Sequence, residues 1–177
     1  SLPRRASARD LVERMVRRFN TVVTDELRAR AGARGLDLRQ AVTLASLVEK
    51  ETASPAERPI VAAVYLNRLR QGIGLQCDPT VIYALELRGR FNGNLTRADL
   101  SLDSPYNTYR YRGLPPGPIA APGRSSLEAV ANPAVVDYLY FVSRNDGTHA
   151  FASTLAEHNR NVRKYQVEFF RRQARGR

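Results

Sequence analysis

Residues 44–61, LASLVEKETASPAERPIV, set two carboxyls, Glu49 and Glu51, two positions apart at the end of what reads as a helix. A carboxyl that stays protonated near neutral pH can hand its proton to a departing oxygen, the task of a general acid. At about 100° per residue, Glu51 projects between Leu44 and Leu47, whereas Glu49 falls near Val42 and Ala45 on the other flank. In the last helical turn the negative end of the helix dipole and an apolar border both disfavour ionisation at Glu51. Two glutamates near a helix end are nevertheless more often a solvated edge, and from these residues alone that reading stands ahead.

The elements that must position this pair can be read from periodicity and punctuation. Leu11, Met15, Val22 and Leu27 recur at helical spacing, predicting one long amphipathic helix from about Ser7 to Ala31 that ends near Gly32 or Gly35. Asp37 can cap a second helix with Ala41, Leu44, Ala45 and Val48 on its apolar face. Ser54-Pro55-Ala56-Glu57 reads as a capping box with proline at the first helical position, so a third helix should run from Pro55 to about Gln71 and close at Gly72. Asp78-Pro79 and Thr96-x-x-Asp99 look like short helix starts.

From Ser104 to Gly123 the chain holds five of its ten prolines together with Tyr106, Tyr109 and Tyr111, which predicts an ordered surface loop. Ser125-x-x-Glu128 should cap a helix ending near Asn132-Pro133. DYLYFVS and THAFAS, joined through NDG, predict a β-hairpin in which Asp146-Gly147 supplies the positive φ angles. Thr154-x-x-Glu157 should cap a final basic helix. Together these predict an α+β fold: a mainly helical domain with a small antiparallel hairpin or sheet.

The 177 residues, 43% of them hydrophobic, suit one globular domain, with residues 1–36 as an amino-terminal support and residues 37–177 as the functional body. A formal charge of +11 predicts attraction to a polyanion, whether nucleic acid, an anionic membrane face or an acidic wall polymer. Of the 28 basic residues, 26 are arginine, which reads as genomic bias. The single Cys77 excludes an internal disulfide, and Cys77, His149 and His158 lack metal-ligand spacing, so neither metal nor cofactor is expected. The two histidines read as a hairpin residue and a helix-surface residue. No apolar run approaches the roughly 18 residues of a membrane span, and no signal peptide is visible.

The segments ASLVEKETASPAERPIVAAVYLNRL, GLQCDPTVIYAL, NGNLTRADL, SPYNTYRYRGLPPGPIAAPG, SSLEAVANPA, YLYFVS and HAFASTLAEHNRNV follow one another between about residues 40 and 165. In that order they resemble the catalytic domain of endolytic murein transglycosylases of the YceG-like family. The resemblance implies a lysozyme-like helical site whose catalytic acid is the second glutamate of VEKET, Glu51, with Glu49 left as a helix-surface charge. It implies cleavage of the β-1,4 bond from N-acetylmuramic acid to N-acetylglucosamine, leaving a 1,6-anhydro end, with Glu51 first acid and then base. That is a lyase's chemistry, in which ring closure within the bound sugar replaces a second protein nucleophile.

Asp78 can be a second site carboxylate or simply a helix cap before Pro79, and Gln76, in the same family-like LQCDPT run, can bond sugar hydroxyls or N-acetyl groups. Tyr106, Asn107, Thr108 and Tyr109 offer stacking faces and polar partners, while Pro115, Pro116 and Gly117 shape the loop and turn its backbone toward the cleft.

The expected partners are peptidoglycan strands and cell-wall synthesis enzymes, with no nucleic acid. The resemblance also implies a single-pass membrane anchor preceding this chain, which starts SLPRRASAR, and a catalytic domain on the periplasmic side. Two rival readings stay open: a hydrolytic muramidase with Asp78 as water base, and a non-enzymatic basic module that binds wall polymer or nucleic acid through YNTYRYR.

Overall fold

A computed structural model of the chain describes residues 7–171; residues 1–6, at the start of the expected support, and 172–177, at the end of the expected last helix, lie outside the described residues. The fold is α+β and mainly helical, with one small antiparallel sheet. Helix α1 (Ala8–Val22) opens with a reciprocal Ser7–Asp10 capping box and buries none of its residues. The expected single helix to Ala31 is in fact two. Val23 turns into the core, and Thr24, in extended conformation, caps α2 (Asp25–Gly32) by accepting from the Leu27 N–H. A threonine followed by two acids is a helix start, and here that local signal overrides the continuing apolar period.

Helix α3 (Leu38–Glu51) starts at a capping box between Asp37 and Gln40 and buries every residue from Thr43 to Val48. It packs against α4 (Arg58–Arg70) and α6 (Arg124–Ala131). Helix α4 is buried almost all round, from Val61 to Arg68, and ends as expected at Gly72, whose φ of 64° places the Ile73 N–H against the Arg68 carbonyl. Its start departs from expectation: residues 55–57 form turns, and the Ser54–Glu57 box does not close. The Glu57 carboxylate is drawn instead to Thr52 and to His149 on a distant strand.

After α4, the short α5 (Asp78–Leu87) begins with Asp78 as its first residue and Cys77 as its N-cap, so Asp78 is not the cap. A single 3-10 turn at Asp99–Ser101 follows, held by Thr96 and Asp99. The proline-rich loop is ordered, yet parts of it are core: Ser104, Asn107 and Thr108 are buried. Helix α6 has Gly123 rather than a serine at its N-cap; Ser125 and Glu128 form no box, and Glu128 pairs with Arg124.

Strands β1 (Tyr140–Ser143) and β2 (His149–Ala152) pair antiparallel, with Phe141 opposite Phe151. Their loop is longer than a two-residue turn: the positive φ angles fall at Asn145 and Gly147, while Asp146 accepts bonds from the Thr148 N–H and hydroxyl. Helix α7 (Leu155–Val162) has the expected Thr154–Glu157 capping box and continues into a π-helical stretch, Arg163–Glu168. Bonds from Gln166 to the Ser143 carbonyl and from Asn145 to the Tyr165 carbonyl hold that stretch to the hairpin. No described helix is long and apolar enough to cross a membrane.

Candidate active site

Helix α3 stops at Glu51 because Thr52 takes an extended conformation (φ −136°, ψ 133°), where its hydroxyl accepts from the Ser54 N–H. The stop leaves Glu51 half-buried on a cleft of about 580 Å³. Helix α4 runs back alongside, and the Tyr65 hydroxyl, on a side chain only 1% exposed, donates to Glu51 Oε2 at 2.9 Å. The Cys77 thiol donates to the same oxygen at 3.3 Å. Burial pushes the Glu51 carboxyl up from its ordinary value near 4.5; the bonds from Tyr65 and Cys77 oppose this, and the charge of Asp78 adds to it. Burial also raises the Tyr65 phenol and the Cys77 thiol well above their usual ranges, so both remain donors at neutral pH.

The residues before α5 are stitched to the proline-rich loop. Gln76 sits at a φ of 53°, unusual for a residue with a side chain, and its N–H bonds the Thr108 carbonyl while the Cys77 N–H bonds the Thr108 hydroxyl. A Cβ at Gly74 would stand 3.1 Å from that same Thr108 carbonyl oxygen, so glycine permits the close approach. Gln76 Oε1 accepts from Arg68 at 2.6 Å, and the Asp78 carboxylate accepts from the Tyr109 hydroxyl. The hairpin forms the opposite wall, with Tyr140, Phe141 and His149, and α7 adds His158.

Of the residues singled out in the sequence, Glu51, Gln76, Asp78 and Tyr109 therefore meet on one cleft. Tyr106, Asn107, Thr108, Pro116 and Gly117 are not among the cleft's lining residues. Tyr106 packs its ring on Tyr83 at 4.9 Å; Asn107 is fully buried and donates to the Leu100 and Leu102 carbonyls; the Thr108 hydroxyl serves Cys77 and Thr80. The Pro116 carbonyl accepts from Arg39, and Gly117 lies beside the Tyr106 hydroxyl. Their side chains and carbonyls brace the loop that presents Tyr109.

Glu49 is not a free surface charge. Its carboxylate accepts from the Ser126 hydroxyl at 2.6 Å and the Gly123 N–H at 3.0 Å, and pairs with Arg58, so it closes the start of α6 from a different helix. The Ser126 bond above all holds its carboxyl below the ordinary value. His149 does lie in the hairpin, but it also lines the cleft and pins the hairpin to Glu57 at 2.7 Å. His158 faces the cleft with its ring stacked on Tyr140.

Sequence reasoning missed Tyr65 and Arg68, and weighed Cys77 only for a disulfide or a metal site. A signal was present. In VAAVYLNRL, a tyrosine, an asparagine and an arginine interrupt an otherwise apolar helix, and polar groups there must be buried with partners if the helix is central.

The family model of the YceG-like family matches residues 1–164. A protein of Bacillus subtilis named endolytic murein transglycosylase is 40% identical over 159 residues, which is 90% of this chain and 43% of that protein. A protein of the same name from Streptococcus pneumoniae is 35% identical over 139 residues, 75% of this chain and 25% of its own length. Among solved structures, the 2.6 Å crystal structure of a yceG-like protein from Listeria monocytogenes matches with a TM-score of 0.76 and 39% identity, over 88% of this chain and 49% of that one. The chain thus spans less than half the length of each of these relatives. A model match over nearly its whole length, with this identity, means that the chain belongs to the YceG-like family.

Proposed function

We propose that this domain is an endolytic peptidoglycan lytic transglycosylase in which Glu51 is general acid and then general base. The observation that carries the reading is Glu51 itself, half-buried on a cleft, pushed toward its neutral form by burial and gripped, among the described residues, on Oε2 alone. The proton sits on Oε1. It passes to the glycosidic oxygen as the bond from that oxygen to C1 of the muramic acid breaks, and the N-acetylglucosamine leaves as an alcohol. The carboxylate so formed takes the proton of the C6 hydroxyl as O6 closes on C1. The acid is restored and no water is consumed.

This sequence needs one titrating carboxyl, and intramolecular closure supplies the nucleophile at high effective concentration. Asp78 then serves as a fixed charge that holds Tyr109 and favours the neutral form of Glu51. Action on murein is extracytoplasmic, with the domain tethered to the membrane by a segment preceding this chain and working beside wall-synthesis enzymes. The net charge of +11 complements the carboxylates of the wall polymer.

The test is Glu51→Gln, which keeps shape and removes the acid. Release of anhydro-ended muropeptides at the parental rate by the purified variant would sink the assignment. Mass spectrometry separates the hydrolytic alternative, with Asp78 activating water, because its products carry reducing ends heavier by one water.

A further inference from the structure

The cleft carries a second group of side chains whose chemistry the proton relay does not use. Arg68 lines the cleft, is 6% exposed, and makes no ion pair among the described residues. Arg58, the comparable inward-facing guanidinium, has Glu49. Arg68 instead donates from Nε to the Gly74 carbonyl and from its two terminal nitrogens to the Leu139 carbonyl and to Gln76 Oε1, all neutral acceptors. A guanidinium has five N–H groups, so one on each terminal nitrogen is left without a protein acceptor, the number a carboxylate takes. A buried cation held only by neutral dipoles is an electrostatic vacancy for an anion.

A second, independent observation lies beside it. Nδ1 of His158 is shielded from solvent and has no hydrogen-bond partner among the described residues. Its ring stacks on Tyr140 at 5.2 Å, and the Arg68 guanidinium lies 5.5 Å from the centre of the same tyrosine ring. A secluded ring nitrogen, an uncompensated cation and an aromatic ring thus lie together on the cleft that Glu51 and Asp78 also line.

We propose that the Arg68–His158 part of the cleft binds a carboxylate borne on the 3-O-lactyl arm of a muramic acid residue. The inference rests on the murein reading and deepens it. The sugar backbone of murein is neutral, and its anionic groups hang from that arm, either as the free lactyl carboxylate of a stripped strand or as a carboxylate of the attached peptide. The site therefore distinguishes murein from chitin-type strands, which have no such arm.

Two measurements test it. With only two histidines in the chain, their imidazole proton resonances can be followed in the wild-type protein during titration with N-acetylmuramic acid and with its methyl ester. The His158 signal is expected to move with the acid and not with the ester; equal movement, or none with either, overturns the proposal. Then initial rates are compared on strands with intact peptides, strands stripped by an amidase, and strands whose carboxylates have been converted to methylamides. The amidated strands are expected to show a KM about tenfold higher, roughly one lost charge-assisted contact, and Arg68→Gln to erase the difference.

Whichever carboxylated strand has the lower KM identifies the source of the anion. If the preference persists in Arg68→Gln, it belongs to the general basic surface and the subsite is wrong. Should that variant fail to fold, the wild-type titration still decides. Absence of anhydro ends from every strand while the His158 signal moves would sink the transglycosylase reading and leave the anion site standing.

Discussion

Tyr65 and Cys77 both approach Oε2 of Glu51, at 2.9 and 3.3 Å, and among the described residues no protein group bonds Oε1. The two oxygens of one carboxyl are thereby made unequal: one is held, the other is left without a protein partner among the described residues, in a residue that lines the cleft. Replacing Tyr65 by Phe removes the stronger grip. A hydrogen bond to an ionisable group contributes about 1.5–3 kcal/mol, so kcat should fall roughly ten- to hundredfold with KM little changed. Because the Tyr65 bond holds the Glu51 carboxyl down against burial, its loss should also move the alkaline limb of the pH–rate profile to higher pH.

Glu51→Gln should raise stability while removing activity. The Glu51 carboxyl titrates above its ordinary value in the folded state, so the folded form holds its proton where the unfolded form has lost it. Stability is therefore full below the unfolded value and declines as pH rises through the folded one. The amide escapes that decline. Calorimetry should find the variant melting higher by about 3 °C near pH 8, with the gap closing toward about pH 4.

Glu49→Gln should do the reverse. Its carboxylate holds Ser126, Gly123 and Arg58, and its folded value is depressed, so its contribution is present above the ordinary value and is lost as pH falls through the depressed one. The variant is expected to lose about 2 kcal/mol at neutral pH by urea unfolding, and less in acid, where the parent's own carboxyl is protonated.

Glu57→Gln should loosen the hairpin. Glu57 accepts from the His149 N–H at 2.9 Å and contacts its ring at 2.7 Å, with both side chains only 12% exposed. The His149 amide should then exchange its hydrogen about tenfold faster or more, and KM should rise as the cleft wall moves. Unchanged exchange at His149 would show that the strand pairing alone fixes the wall.

Cys77 should be inert in the native protein. It is 1% exposed and burial raises its thiol well above the usual range, so a disulfide reagent at about pH 8 is expected to label it only in denaturant.

Those parts of the fold governed by neighbours in sequence were legible. Asp37, Gly72 and Thr154 each mark a boundary through a cap or a left-handed residue that acts within a few positions. Two readings failed because a distant partner displaced the local one, whereas the break at Thr24 was a local cap that the apolar period hid. Glu57 serves a histidine 92 positions away rather than Ser54, and Glu49 serves Gly123 and Ser126 rather than water. The site divides the same way. Glu51 carries a local argument from its place at a helix end, whereas the polar interruptions at Tyr65 and Arg68 name buried groups but not their partners, which are set only when α4 folds back along α3. Asn107 and Thr108 have the polarity of a sugar-binding pair, but the loop uses that polarity on itself.

Gln76, Cys77 and Asp78 touch, in turn, Arg68, Glu51 and Tyr109, and the left-handed backbone at Gln76 is what lets three adjoining side chains reach three separate groups. The tripeptide is thus a shared hub whose spokes cannot be adjusted one at a time. Adding or deleting a single residue there would uncouple cation, acid and aromatic wall together, so length in this short span is under tighter constraint than composition.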